Sequence, residues 1–232
     1  MTGPLSPDLQ PLIVCTGVTR RYLDGETEVS AVDDFSATFH RGQFSAITGP
    51  SGSGKTTLLN LISAVDYSDD GSVVIGERDL GSLGSAEQAE ARATTVSVVF
   101  SEHNLLPMMS LYENLSLSLS LLRLPEAETD RRIKAALDAV GIVDLIHRAP
   151  GRISSGQRAR ASLARAIAMN TPALVADEPT AHLDQDTAAE VGALLRDLAE
   201  TRGVCVVIAT HDRTVASLAH QIIRLKDGRQ DP

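Results

Sequence analysis

The sequence predicts an α/β domain: a mostly parallel sheet covered by helices on both faces, with antiparallel strands at its N-terminal end. Three patterns carry that expectation. Near-continuous apolar strands, ALVAD at 173–177 and VCVVIAT at 204–210, are separated by a helical segment at 186–200, the pattern of strands buried on both faces. A strand-like run, FSAIT at 44–48, ends directly in a glycine-rich loop, after which TLLNLIS continues with helical spacing. The stretch 111–170 is rich in Leu, Ala, Arg and Glu and poor in β-branched residues, so it reads as several helices.

The remaining elements follow in order. Residues 1–10 hold two prolines and little apolar content and read as a flexible tail, ahead of a single domain over 11–230. From Leu12 to Phe44, the runs LIVCTGV, VSAV and FSATF with the turn DGET suggest antiparallel strands. SVVI (72–75) and TTVSVVF (94–100) are further strand candidates. LSLSLSLL (115–122) alternates strictly, which favours a strand. Its leucines at 115, 119 and 122 also share a helical face, and the neighbouring composition decides for helix.

Composition narrows the class. The 232 residues are 43% hydrophobic, enough for one buried core, but only 3% aromatic with no Trp, so that core rests on Leu, Ile, Val and Ala. A net charge of -9 argues against a general nucleic-acid surface, which needs a basic stripe. Cys15 and Cys205 each sit inside an apolar run and read as buried thiols. No signal peptide and no apolar run of membrane-spanning length stand out, so the expectation is a cytosolic chain. His40, His103, His147 and His220 have no metal-site spacing.

GPSGSGKT, Gly49 to Thr56, matches the P-loop pattern. Its glycines let successive backbone N–H groups turn inward around phosphate oxygens, and the helix opening near Lys55 adds the positive end of its dipole. Lys55 brings a point charge to the β- and γ-phosphates, and the Thr56 hydroxyl is a Mg²⁺ ligand. The binding stretch is therefore Gly49, Ser51, Gly52, Ser53, Gly54, Lys55, Thr56 and Thr57. ALVADEPT supplies the second half: Asp177 at a strand's C-terminal end to hold Mg²⁺, and Glu178 one residue on to polarise an attacking water.

Together with ISSGQ (153–157), AHLD (181–184) and THD (210–212), these motifs resemble the ATPase subunits of ATP-binding-cassette (ABC) transporters over about residues 12–230. ISSGQ resembles the family's signature, AHLD its D-loop, and His211 stands at its switch-histidine position. Tyr22 stands where the family stacks an aromatic on adenine. The phrases LNLISAVDYSDDGSVVIGERDL, NLLPMMSLYENL and HDRTVASLAHQIIRLKDG are similar to the macrolide-exporter, lipoprotein-release and haem-export type.

The resemblance implies a P-loop NTPase core, an N-terminal antiparallel β subdomain, and a helical lobe at about 101–165 carrying the signature. It implies ATP and Mg²⁺ as ligands, with Lys55, Glu178 and His211 catalytic. It also implies a homodimer in which Ser154, Ser155, Gly156, Gln157 and Asp184 of one copy face ATP on the other. Integral membrane permease subunits would complete an exporter, with this chain peripheral on the cytoplasmic face of the inner membrane. A second class of reading is an ATP-gated signalling or scaffold subunit with little hydrolysis. Three positions depart from the family: Ser101 replaces a Gln beside the metal, Ser155 replaces the signature's first Gly, and His182 replaces a small D-loop residue. Ser101 would then reach Mg²⁺ only through a bridging water.

Overall fold

A computed structural model of the chain describes residues 10–231 apart from Glu26, His103 and His182. The expected tail therefore lies almost wholly outside the described residues, as do His103 and the D-loop His182. Strands β1 (Pro11–Asp24) and β2 (Thr27–His40) form a long antiparallel ribbon. β3 (Phe44–Thr48) and helix α1 (Lys55–Ile62) bracket the glycine-rich loop, and β4 (Asp70–Ile75) and β5 (Arg78–Asp79) follow. Next come α2 (Ser85–Thr95), β6 (Val96–Val99), α3 (Leu111–Leu119), α4 (Glu126–Ala139) and α5 (Ser155–Met169). The chain closes with β7 (Ala173–Asp177), α6 (Gln185–Arg202), β8 (Cys205–Ala209), α7 (Arg213–Ser217), β9 (Gln221–Lys226) and β10 (Arg229–Asp231).

Two sheets result. One is antiparallel with strand order β2-β1-β4-β5, and the other runs β10-β9-β3-β8-β7-β6. In the second, every pairing from β9 to β6 is parallel and only β10 runs against its neighbour.

The continuous apolar runs of β7 and β8 are explained by two cores. Leu174, Ala176, Val206 and Ile208 join a cluster with α3, α4, α5 and α6. Their alternates, Ala173, Val175, Cys205, Val207 and Ala209, join a second cluster with α1 and the antiparallel sheet. Side chains alternate across a strand, so a strand buried on both faces has no polar position to spare. Both cysteines are buried free thiols, and burial pushes each up to about 12. Of the four phenylalanines, Phe35, Phe39 and Phe44 are fully buried in the core, whereas Phe100, Tyr22 and Tyr67 are exposed.

The run 115–122 is helical, in line with the expectation, as α3 followed by a short 3-10 turn, with Leu111, Leu115 and Leu119 buried on one face. A capping box at Ser110 and Glu113 starts that helix. VSAV and FSATF belong to one strand, β2, whose pairing with β1 shifts register at several points; Asp34 has φ 53. Thr94 and Thr95 end α2 rather than beginning a strand. β9, which inserts beside β3, was not anticipated. Among the described residues, no helix is long and apolar enough to cross a membrane.

Candidate active site

The C-terminal ends of β3, β7 and β8 lie side by side, because these strands are parallel neighbours. That edge is where an α/β sheet builds its site. Here it opens into a cleft of about 560 Å³ whose walls include Lys55, Thr56, Ser101, Asp177, Glu178 and His211. Residues from four separate stretches of the sequence thus meet in one place.

The glycine-rich loop owes its shape to close packing. Gly54 has φ 96, and a Cβ there would lie 2.0 Å from the Ala31 carbonyl oxygen. A Cβ on Gly49, φ 154, would lie 2.1 Å from the Leu225 carbonyl oxygen. Only glycine satisfies both the backbone angle and the space. Ala31 and Leu225, which hold the loop from β2 and β9, escaped the sequence reading because nothing marks them among ordinary strand residues. Lys55 Nζ donates to the carbonyls of Gly49 at 3.0 Å and Pro50 at 2.8 Å, so its ammonium is held back over the loop. The Ser53 hydroxyl is buried within the loop and has no hydrogen-bond partner among the described residues. An unpartnered buried donor of this kind is unusual and fits a ligand that supplies acceptor oxygens.

Asp177 ends β7, and its Oδ2 accepts a 2.9 Å bond from the Thr56 hydroxyl. Burial pushes the Asp177 carboxyl above its ordinary value, and the neighbouring Glu178 charge adds to this; the Thr56 bond and Lys55 oppose it. Among the described residues, no three His, Cys, Asp or Glu side chains converge as a metal cage. One carboxylate and one hydroxyl side by side are instead the partial oxygen set that suits Mg²⁺, which takes its other ligands from water and substrate phosphates.

Glu178 has φ 46, in the left-handed region that residues other than glycine, asparagine and aspartate seldom adopt. Its N–H donates to the Ala209 carbonyl at 3.0 Å, and its own carbonyl accepts from Ala181 N–H at 3.0 Å, so the surroundings impose the conformation. Glu178 Oε1 lies 2.9 Å from His211 Nδ1. A carboxylate at this contact accepts, so Nδ1 carries the proton. His211 itself is 74% exposed on the loop after β8, steadied by Asp212, which caps α7.

The other predicted residues lie elsewhere. Ser154, Ser155, Gly156, Gln157 and Asp184 do not line this cleft. Ser154 and Gln157 form the capping box that begins α5, and Asp184 caps α6 through Thr187. A Cβ on Gly156 would meet Thr187 Cγ2 at 2.9 Å, so packing of α5 on α6 already restricts that position. Ser155 is the first residue of α5. Ser101 reaches the cleft from just beyond β6, whereas Glu102 is exposed and outside its lining. Tyr22 is 40% exposed on β1, with its hydroxyl bonded to Asp66.

The family model described as ABC transporter matches residues 32–181, which run from β2 through both phosphate-site motifs to the start of the D-loop. The chain belongs to the ABC transporter family. Among relatives, it is 37% identical over 220 residues to the macrolide export ATP-binding/permease protein MacB 2 of Aeromonas hydrophila subsp. hydrophila, covering 95% of this chain and 34% of that one. It is 38% identical over 219 residues to the pyoverdine export ATP-binding/permease protein PvdT of Pseudomonas aeruginosa, covering 94% of this chain and 33% of that one. The chain thus spans about a third of the length of these ABC relatives.

Solved ABC cassettes resemble it over nearly their whole length. A dimeric bacterial ABC transporter cassette matches with a TM-score of 0.89 and 34% identity, covering 95% of this chain and 97% of that one. A dimeric post-hydrolysis cassette bound to ADP and Pi matches with a TM-score of 0.88 and 33% identity, covering 95% and 97%. The architecture is therefore that of an ABC ATPase cassette.

Proposed function

We propose that this chain binds Mg-ATP in the cleft, hydrolyses it to ADP and phosphate, and uses the cycle to drive export through membrane permease partners. One observation carries the reading: a phosphate-binding loop, a paired Thr56–Asp177, and a Glu178 held by His211 all face a single cleft.

In this reading Lys55 exchanges its bonds to the Gly49 and Pro50 carbonyls for β- and γ-phosphate oxygens. The loop N–H groups and the buried Ser53 hydroxyl donate to the remaining phosphate oxygens. Thr56 and Asp177 are the residues that would hold Mg²⁺, with Ser101 contributing through water. The ion would supply charge neutralisation between the β- and γ-phosphates. Glu178 accepts a proton from the attacking water as the water approaches the γ-phosphate, while His211 fixes the carboxylate's direction. Tyr22 offers its ring to adenine.

Ser154 to Gln157 and Asp184 stand on exposed or half-exposed helix starts outside the chain's own cleft. That placement suits donors for ATP held by a second copy, and the two similar solved cassettes are dimers. On another face, a groove of about 690 Å³ runs past Val65, Val98, Phe100, Leu121 and Met169. It is apolar enough to seat a cytoplasmic segment of the permease. In the neighbouring LLPMM stretch (105–109), Leu105 packs on the core, while Leu106 and Met108, the latter 93% exposed, face outward. The permease places the cassette peripherally on the cytoplasmic face of the membrane.

Titration calorimetry and phosphate-release assays on wild type and Lys55→Ala test the reading. Wild type should bind Mg-ATP and release phosphate, and the variant should lose at least about tenfold in affinity, since a charge-assisted phosphate contact is worth roughly 1.5–3 kcal/mol. Equal binding by both proteins would contradict it.

A further inference from the structure

Behind the exposed ring of Tyr22 lies a charged network that the phosphate chemistry does not require. The Arg20 guanidinium covers one face of the ring, with Cζ 4.8 Å from the centroid. The Tyr22 hydroxyl donates to Asp66 Oδ2 at 2.6 Å. The same carboxylate takes two bonds from Arg20, Nε to Oδ2 at 3.0 Å and Nη2 to Oδ1 at 2.9 Å. Arg20 Nη1 reaches on to Asp69 Oδ1 at 2.9 Å, and Asp69 Oδ2 accepts from the Arg21 N–H at 2.6 Å. Asp69 N–H also donates to the Thr19 carbonyl at 2.8 Å. The end of β1 is thus stapled to the 66–69 turn by side chains and backbone together.

That turn is tied in its own right to the helix that carries the phosphate residues. The N–H groups of Val65 and Asp66 both donate to the Asn60 carbonyl, at 2.9 and 3.2 Å, and Asn60 belongs to α1, which opens with Lys55 and Thr56. Thr57, on the wall of the cleft, belongs to the same helix. Burial pushes the Asp66 carboxyl upward, but the bonds from Tyr22, the Tyr67 N–H and Arg20 outweigh it and hold it below its ordinary value. Asp66 is therefore an anion near neutral pH, able to keep both donors.

A tyrosine ring ordinarily turns about two side-chain torsions, and a ligand that stacks on it must first stop that motion. Here the hydroxyl is anchored, one face is taken by a cation, and a single face remains for a planar group. We propose that Asp66, with Arg20, is a positioning clasp that holds Tyr22 at a fixed offset from the phosphate loop, so that the chain selects ligands carrying both an aromatic base and a polyphosphate. The inference rests on the reading of the cleft as an ATP site and adds residues that select the base. Asp66 and Arg20 touch neither phosphate nor water in this scheme; they act through the ring.

The test compares Mg-ATP with Mg-tripolyphosphate, which has the charge but no base, by titration calorimetry on Asp66→Asn, Tyr22→Phe and a surface control, Asp70→Asn. Base–aromatic stacking is worth enough that misplacing the ring should weaken ATP binding about five- to tenfold in both clasp variants. Tripolyphosphate binding should stay within about twofold in both, with any tightening confined to Asp66→Asn, where removing an acidic group near an anion site favours the anion. Asp70→Asn should leave ATP binding unchanged. In a Tyr22→Ala background, Asp66→Asn should add no further loss, since the clasp has nothing left to hold.

Equal weakening of both ligands, no weakening of ATP, or a fully additive double variant would overturn the clasp while leaving the ATP site standing. Should Asp66→Asn fail to fold, Tyr22→Phe decides alone, because it removes the anchoring hydroxyl and leaves the carboxylate–guanidinium pair intact. A wild-type chain with no affinity for Mg-ATP would overturn both readings.

Discussion

Asp177 and Glu178 are neighbours in the chain with different environments and different proposed tasks. Asp177 sits against the sheet, bonded to Thr56, with its carboxyl raised above the ordinary 3.8 by burial first and by Glu178 second. A carboxylate whose folded value is raised binds its proton more tightly in the folded state. Stability therefore falls as pH climbs from near 3.8 through the raised value, and stays lowered above it. Asp177→Asn removes that cost while keeping an acceptor for Thr56. In the absence of nucleotide it should melt higher than wild type at neutral pH. Melts from pH 4 to 7 should show the gap widening with pH and then levelling. A gap that is constant, or that closes, would contradict the assignment of strain to this carboxyl. The same variant should lose Mg²⁺-dependent ATP binding, so the residue trades stability for function.

At the level of elements, the phosphate loop is the most sharply specified segment. Gly54→Ala would force a left-handed alanine and drive its Cβ into the Ala31 carbonyl, together costing roughly 3–5 kcal/mol. Gly52→Ala has a similar backbone penalty, with φ 77, but nothing within 4 Å of its Cβ, so only about 1–2 kcal/mol should be lost. Denaturant midpoints for the two variants should differ accordingly, and equal losses would sink the close-packing explanation.

This loop and the two buried strands were legible because their information is local. GPSGSGKT requires its neighbours to be a strand and a helix, and ALVAD has no polar position to divide its faces. β9 was missed although its sign was present: in QIIRLK, Ile223 and Leu225 are buried and Ile222 and Arg224 face outward, a period of two over a short run. α2 was missed for the opposite reason. Its end, Thr94 and Thr95, is β-branched and adjoins β6, so local preference pointed to strand while the helix ran on to Thr95. The chemistry of single site residues could be read from motifs. Their meeting could not, because Lys55, Ser101, Asp177 and His211 are far apart in sequence and only the parallel order of β3, β8, β7 and β6 brings their loops to one edge. The Arg20–Asp66 clasp, spanning 46 positions, left no mark in the sequence at all.

Across the whole molecule, the proposed function makes the cleft one half of a catalytic surface and the outward starts of α5 and α6 the other half. A net charge of -9 opposes association of two copies, so Mg-ATP should be what joins them. In the proposed cycle, binding closes a pair and hydrolysis reopens it, and Glu178 would be the residue that separates the two events. The most direct measurement is on Glu178→Gln, which keeps the side chain's shape and removes its ability to take a proton from water. Phosphate release and light scattering should be followed together with Mg-ATP present. The expected result is turnover lowered about 10²–10⁴-fold with ATP binding retained and a stable nucleotide-bound dimer accumulating. Near-normal turnover in Glu178→Gln, or loss of ATP binding along with turnover, would contradict the assignment of the water-activating role to Glu178.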